Sequence, residues 1–446
     1  MSLIDIDLPD DADAARDDLA ARVLLVVLGA MTLRFGLKMW AVAAGDNGLV
    51  GAIPTFVAFV LGVELLVLAV GDIDLAEHGR TIGYVTTAIL AALALATVLV
   101  ADLPRLGTDL LAFTSYAVEV VAEGGNPVAV SLAPAAGLQG APDVWTYRTN
   151  GDWATSWSYP TGSLHLYGAW YALFGREPWG LRVVGLGGVV GIGWLVTYLL
   201  PARFGALGPA SLLLAQNEFM AALGGLNDMW YILPTIATMW LWATDRRVAA
   251  AAVFGIACAM KQQPWLICLP LAIWVWQDAP GLRTFARRAT AYIGVGGAVF
   301  VAWNLPWLAV SPLAWLNSAL VPLSVGNEAP LVSMGVGLAV LNQAVERPVV
   351  ARRTFEVFIY GSTALATVAY WHWFDQLRWA AWLAPAAILL WAPRSLPSYF
   401  HWFVPIAVVA LFASRGRLRG QQSPHEQAAD DASGAEDLDH HRTTTL

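Results

Sequence analysis

The sequence predicts an all-α fold, a polytopic transmembrane helical bundle of about 11–12 crossings. A large first extracytoplasmic loop carries interfacial helices. Three observations lead there. The chain is 58% hydrophobic and only 13% charged, where a soluble domain carries roughly 25% charged residues. Apolar runs of about 20 residues, the length needed to cross the hydrocarbon core, recur along most of it. Residues 104–178 form the only long interval too polar to sit inside a bilayer.

Residues 1–20 are acidic, with seven aspartates, and so lack the basic head of a cleavable secretory signal. They read as a cytoplasmic N-terminus, and the first apolar segment, 21–44, as a retained spanning helix. Further candidate spans are 49–70, 82–103, 179–200, 204–223 and 227–243. Two short halves follow, 249–260 and 265–276, then 289–309, 355–373, 379–391 and 400–413. Residues 21–413 form one membrane domain with outer loops at 104–178 and 311–353. Residues 414–446, rich in Gln, Asp, Glu and Thr, read as a disordered tail.

Arginines set the orientation. Arg80, Arg203, Arg246 with Arg247, then Arg283, Arg287 and Arg288, and Arg415 through Arg419 all face the cytoplasm if the N-terminus does. Both flanks of 249–276 are then cytoplasmic, which favours a helical hairpin tipped by Lys261-Gln262-Gln263-Pro264 over one kinked helix. Pro264 cannot continue the first arm. Arg347, Arg352 and Arg353 fall on the outer side, against the rule, unless 334–344 is a further short crossing.

Lys38 and Lys261 are the only lysines, and both ends are acidic. Such a polar surface suits very high salt, as in a halophilic archaeon; a GC-rich genome with acidic tails is the alternative. Cys258 and Cys268 lie in apolar sequence and suggest neither a disulfide framework nor a metal site.

Few residues are placed to do chemistry. Asp109 stands just beyond the third candidate span, and Leu110, Phe113, Ala117 and Val120 follow at helical spacing. The segment should lie along the interface and hold a carboxylate at the lip of a cavity. The plainer reading, which spacing favours, is that Thr108 or Asp109 caps that helix. Lys261 between two apolar halves is costly unless paired, so it is either a phosphate-binding cation, with Gln262 and Gln263 as neutral donors, or a snorkelling helix-end lysine.

Asn227-Asp228 opens another span on the same outer side. Asp228 could orient a sugar hydroxyl, pair with Lys261 or cap the helix. His165, one turn after Tyr159-Pro160, is a candidate for binding phosphate or substrate hydroxyls, although a lone interfacial histidine is more often structural. Trp145, Trp153 and Trp157 could stack on sugars, but tryptophan belts at interfaces are commonplace. Glu119, Asp143 and Asp152 show no metal-ligand spacing. No Gly-rich nucleotide loop, zinc motif, serine elbow or nucleic-acid module is present.

The order of "GTDLLAFTSYAVEVVAEGGNPV", "YPTGSLHLYGAWYALFG", "LNDMWYILP" and "AVFGIACAMKQQPWLICLP" resembles the type C (GT-C) polytopic membrane glycosyltransferases, which use polyprenyl-phosphate sugars. The resemblance is particularly to archaeal members of mannosyltransferase type. The resemblance covers roughly residues 80 to 410, through the hydropathy layout and these short motifs. It implies Asp109 as the catalytic base and Lys261 as the basic residue toward the lipid phosphate; Gln262, Gln263, His165, Asn227, Asp228 and Tyr159, read from the residues themselves, complete the candidate substrate or lipid-phosphate contacts. Many members carry paired acids, whereas Leu110 follows Asp109 here, so a lone base is favoured over a metal-bound mechanism. "PLVSMGVGL", residues 330–338, looks like the second outer loop of such proteins.

The expected activity is inverting transfer of a hexose such as mannose from a polyprenyl (dolichyl) phosphate to a lipid-linked glycan or glycoprotein on the outer face of the cell membrane. No cofactor besides that co-substrate, and no nucleic acid, is expected. Two other classes stay open: a secondary transporter with a broken-helix site near Lys261, and a non-catalytic membrane subunit.

Overall fold

The computed structural model describes residues 10–100, 108–138, 145–175, 178–214, 219, 224–320, 331–343 and 350–421. Outside them fall residues 1–9 of the acidic N-terminal stretch, the proposed tail beyond residue 421, Asp143, Arg347 and residues 321–330 and 344–349 of the proposed second outer loop. In chain order, α1 (Asp10–Val70) and α2 (Leu75–Val100) lead into α3 (Asp109–Ala122), α4 (Gly162–Phe174), α5 (Pro178–Leu199) and α6 (Leu207–Leu214). α7 (Met229–Ala243), α8 (Arg247–Met260) and α9 (Cys268–Gln277) precede the long α10 (Leu282–Val310) and α11 (Pro312–Leu320). After β1 (Met334–Gly335) come α12 (Val340–Gln343), α13 (Arg352–His372), α14 (Phe374–Leu377) and α15 (Ala384–Leu389). Then follow β2 (Arg394–Ser395), α16 (Pro397–His401) and α17 (Phe403–Ser414).

The structure is mostly helical, as the apolar periodicity requires. Among the described residues six helical stretches are long and apolar enough to cross a membrane: Ala14–Ala41, Val50–Val70, Leu75–Val100, Gly180–Leu199, Leu282–Val310 and Pro397–Ser414. Of the other expected spans, 355–373 is helical over the 21 residues of α13 but lies outside that long, apolar set, and the rest are shorter. The described part of 204–223 is one 3-10 turn and the eight residues of α6, and 379–391 is a 3-10 turn followed by six-residue α15. A helix of 15 residues such as α7 rises about 22 Å, short of the roughly 30 Å of hydrocarbon.

The chain divides into two compact units. The first comprises residues 1–101, 193–214 and 415–446. In it α1 breaks at Gly48, whose φ of 53° suits a residue without a Cβ, giving the two spans that the sequence separates at 45–48. At one end Asp17 pairs with Arg417 and lies 3.9 Å from Arg203, while Arg80 donates to the carbonyl of Leu200 at 3.3 Å. Of the arginines expected on one side, Arg80, Arg203 and Arg417 share one end of this unit.

The second unit comprises residues 102–192 and 215–414. Its centre is α8, packed between α7 and α10. Lys261 ends α8 in extended backbone (φ −157°, ψ 163°), and Pro264 starts a 3-10 turn over Gln263–Ile267 before α9. Arg247 at the start of α8 lies 3.6 Å from Asp278 just past α9. The two ends therefore meet, and 247–277 is a hairpin with Lys261 at its tip, about 21 Å along α8 from Arg247.

A small parallel sheet, absent from the all-α expectation, joins β1 to β2 in the register Met334↔Arg394 and Gly335↔Ser395. The Met-Gly-Val-Gly segment makes it possible. Gly335 has φ 137°, and a Cβ there would stand 2.2 Å from the Ser395 carbonyl oxygen. Just upstream, Leu331 bridges Arg148, and Val332 N–H donates to the Tyr147 carbonyl at 2.9 Å. Residues 331–338 thus tie 147–148 to residues 390–395.

Beneath the first loop lies a core in which Leu111, Ala117, Trp157 and Tyr167 meet Trp307 and Trp315. Asn304 Oδ1 accepts from the N–H and hydroxyl of Thr161 (2.9 and 2.8 Å) and from the Trp315 indole (3.1 Å). These bonds fix the Tyr159-Pro160-Thr161 turn against α10.

Candidate functional site

Thr108 is the cap of α3: its hydroxyl accepts from Leu111 N–H at 3.2 Å and donates to the Gly224 carbonyl at 2.7 Å. Asp109, the first residue of α3, is thereby relieved of capping and remains half-buried. Its Oδ1 accepts from Leu110 N–H at 2.8 Å, and its Oδ2 from Thr146 N–H at 3.0 Å. Each oxygen keeps a free lone pair, since an ionised carboxylate has about four acceptor sites.

Lys261 is buried and paired with Asp228, the side chains being 3% and 1% exposed. Of the three roles open to Asp228, the geometry selects the ion pair; its side chain caps nothing, although it precedes α7. Three rings surround the ammonium: Tyr159 at 5.1 Å, Tyr399 at 5.2 Å and Tyr231 at 6.0 Å from Nζ to the centroid. Each comes from a different segment, the first loop, α16 and α7. Gly162 lets this loop approach so closely, because a Cβ there would lie 2.5 Å from the Ala259 carbonyl oxygen in the last turn of α8.

Arg394 reaches the same neighbourhood through β2. Its Nη2 donates to the Thr146 hydroxyl at 3.4 Å, while the N–H of that same threonine holds Asp109. Tyr159 links the two halves. Its ring covers Lys261, and burial pushes its phenol well above the ordinary range, with Tyr399, Asp228 and Asp109 pushing the same way and Arg394 opposing. Tyr159 is therefore a neutral hydrogen-bond donor at any ordinary pH. One carboxylate, one guanidinium, two phenols and a buried ion pair thus converge.

The remaining expected contacts are differently employed. Gln262 is no free donor: both its amide hydrogens are spent, on the carbonyls of Ser158 (2.9 Å) and Ala319 (2.8 Å). Gln263 is buried in the 3-10 turn. His165 donates through Nε2 to the Trp303 carbonyl at 2.6 Å, and its ring is packed by Trp303 and Trp307. Asn227 Oδ1 accepts from the Tyr167 hydroxyl at 2.9 Å, which in turn accepts from the Trp230 indole at 3.3 Å, so it anchors the start of α7 to α4. Trp157 is buried core, and Trp145 packs between Phe113 and Trp153 at 5.4 and 4.7 Å.

Sequence reading missed Thr146, Tyr231, Tyr399 and Arg394. Only Arg394 left a signal: a basic residue in the outer link between candidate spans 379–391 and 400–413, against the positive-inside rule. Among the described residues no three His, Cys, Asp or Glu side chains gather into a metal-holding group. Comparison of the chain with protein-family models, with the curated proteins and with the solved structures found no match.

Proposed function

We propose that this protein is an inverting glycosyltransferase that moves a hexose from a polyprenyl-phosphate sugar to a lipid-linked glycan or glycoprotein. It works at the outer face of the cell membrane of a salt-adapted archaeon. Both termini lie in the cytoplasm, and shorter helices complete about 12 passages beside the six long ones. The observation that carries the reading is the convergence on Tyr159: one phenol feels the charges of Asp109, Asp228 and Arg394 while its ring covers Lys261.

Asp109 takes the proton from the acceptor hydroxyl as that oxygen bonds to the anomeric carbon. The bond from that carbon to the phosphate oxygen breaks, and its electron pair leaves on the phosphate. Negative charge therefore grows on the departing group, where a preplaced cation and the neutral Tyr159 phenol stabilise the transition state more than the ground state. The Thr146 and Leu110 N–H groups hold the carboxylate without neutralising it.

The test is transfer of radiolabelled sugar from synthetic polyprenyl phosphates by the purified protein in lipid. Label appearing on an acceptor supports the reading. Vesicles that move solute with no lipid-linked sugar present would favour a carrier instead.

A further inference from the structure

We infer that Lys261 does not hold the donor's phosphate but is a positioning residue, and that Arg394 is the cation offered to the phosphate. The inference rests on the glycosyl-transfer reading for its ligand and on the geometry for its division of labour.

The charge of Lys261 is cancelled at contact distance by Asp228, and both side chains are almost wholly out of solvent. A phosphate approaching this ammonium would meet a carboxylate beside it and tyrosine rings over it. What the ammonium does is tie together four segments of chain: the hairpin tip, the start of α7 through Asp228 and Tyr231, the first outer loop through Tyr159, and α16 through Tyr399. Cation–π contacts of a desolvated ammonium strengthen such a tie. It sets where the Tyr159 and Tyr399 phenols stand relative to Asp109.

Arg394 is arranged in the opposite way. It is half-buried, donates to Thr146 at 3.4 Å, and has no carboxylate within ion-pair distance among the described residues. A planar guanidinium with unspent donors suits the paired oxygens of a phosphate. Its short tether to Thr146 places it beside the carboxylate proposed to act as base.

Removing one member of a buried ion pair strands the other charge, whereas replacing both by neutral groups of similar volume is often tolerated. The full-length protein in lipid is therefore compared with Lys261→Met, Asp228→Asn, the double variant, Arg394→Gln and Arg394→Lys. Melting, binding of a sugar-free polyprenyl phosphate, and transfer are read on each. Each single change at the pair should lower the melting temperature by several degrees, and the double variant should recover most of it and bind the lipid phosphate within about threefold of the parent. Arg394→Gln should weaken lipid-phosphate binding by about tenfold or more without a change in melting, with partial recovery in Arg394→Lys.

A double variant that melts like the parent but no longer binds polyprenyl phosphate, with Arg394→Gln binding normally, would return the phosphate to Lys261. A double variant that melts below both singles would refute the positioning role. A parent protein that binds the lipid phosphate but transfers no sugar would sink the transferase reading and leave this division of labour standing.

Discussion

The two ends of the α8–α9 hairpin use the same chemistry in opposite surroundings. At the tip, Lys261 meets a single carboxylate, Asp228, at 3% and 1% exposure, among tyrosines. At the base, Asp278 is shared by Arg247 (3.6 Å) and Arg378 (3.7 Å), which are 22% and 39% exposed, among tryptophans. Its carbonyl also accepts from Arg288 at 2.9 Å. The base has spare partners and water to screen it, so no single contact there decides much. The tip has neither. Desolvation, rather than the number of ion pairs, makes one end a determinant of the site and the other a fastening.

Substitutions at the two ends should separate accordingly. Lys261→Met alone should lower stability by about 3–5 kcal/mol, since it leaves a buried, uncompensated carboxylate; denaturant midpoints measure it, and a loss under 1 kcal/mol would put the tip in the same class as the base. Gln262→Ala should come next, at about 1–3 kcal/mol, because the Ser158 and Ala319 carbonyls lose their donor in a site short of water. Asp278→Asn should cost no more than about 1 kcal/mol. Raising salt from about 0.1 M to about 1 M should erase that difference while leaving the Lys261→Met difference intact.

The smallest effect concerns pH, and it falls on Tyr159 at the tip. Burial first, then the neighbouring acids, raises the Tyr159 phenol well above its ordinary range. Above a pH of about 10 the unfolded chain gives up this proton and the folded one keeps it. The contribution of Tyr159 to stability is complete below that pH and is lost as pH rises toward its folded value. Stability should therefore fall less steeply through pH 10 to 11 in Tyr159→Phe, and an unchanged slope would place the phenol in contact with solvent.

Much of this was legible in the sequence because it is written in period and charge. The long apolar runs, the break at Gly48 and the hairpin flanked by arginines and turned at Pro264 follow from hydropathy, the positive-inside rule and proline's missing N–H. Lys261 stood out as a charge between apolar halves, and Asp109 as a carboxylate just beyond a candidate span. The residues that join them did not. Thr146 holds Asp109 with a backbone N–H, which has no side-chain signature. Arg394 arrives through strands of two residues each, paired across some sixty positions and too short to show an alternating pattern. The glycines at 335 and 337 read only as part of an outer loop, because nothing in the local sequence shows that the backbone of 390 and 395 packs against them. Gln262 and His165 looked available because their partners, carbonyls on α11 and α10, belong to elements distant in sequence.

The decisive experiment replaces the one carboxylate from which the chemistry starts. In Asp109→Asn, the turnover of a polyprenyl-phosphate sugar should drop by about a hundredfold or more, with lipid-phosphate binding and melting close to the parent's. Undiminished turnover in that variant would remove Asp109 as the base, and with it the proposed reaction at this site.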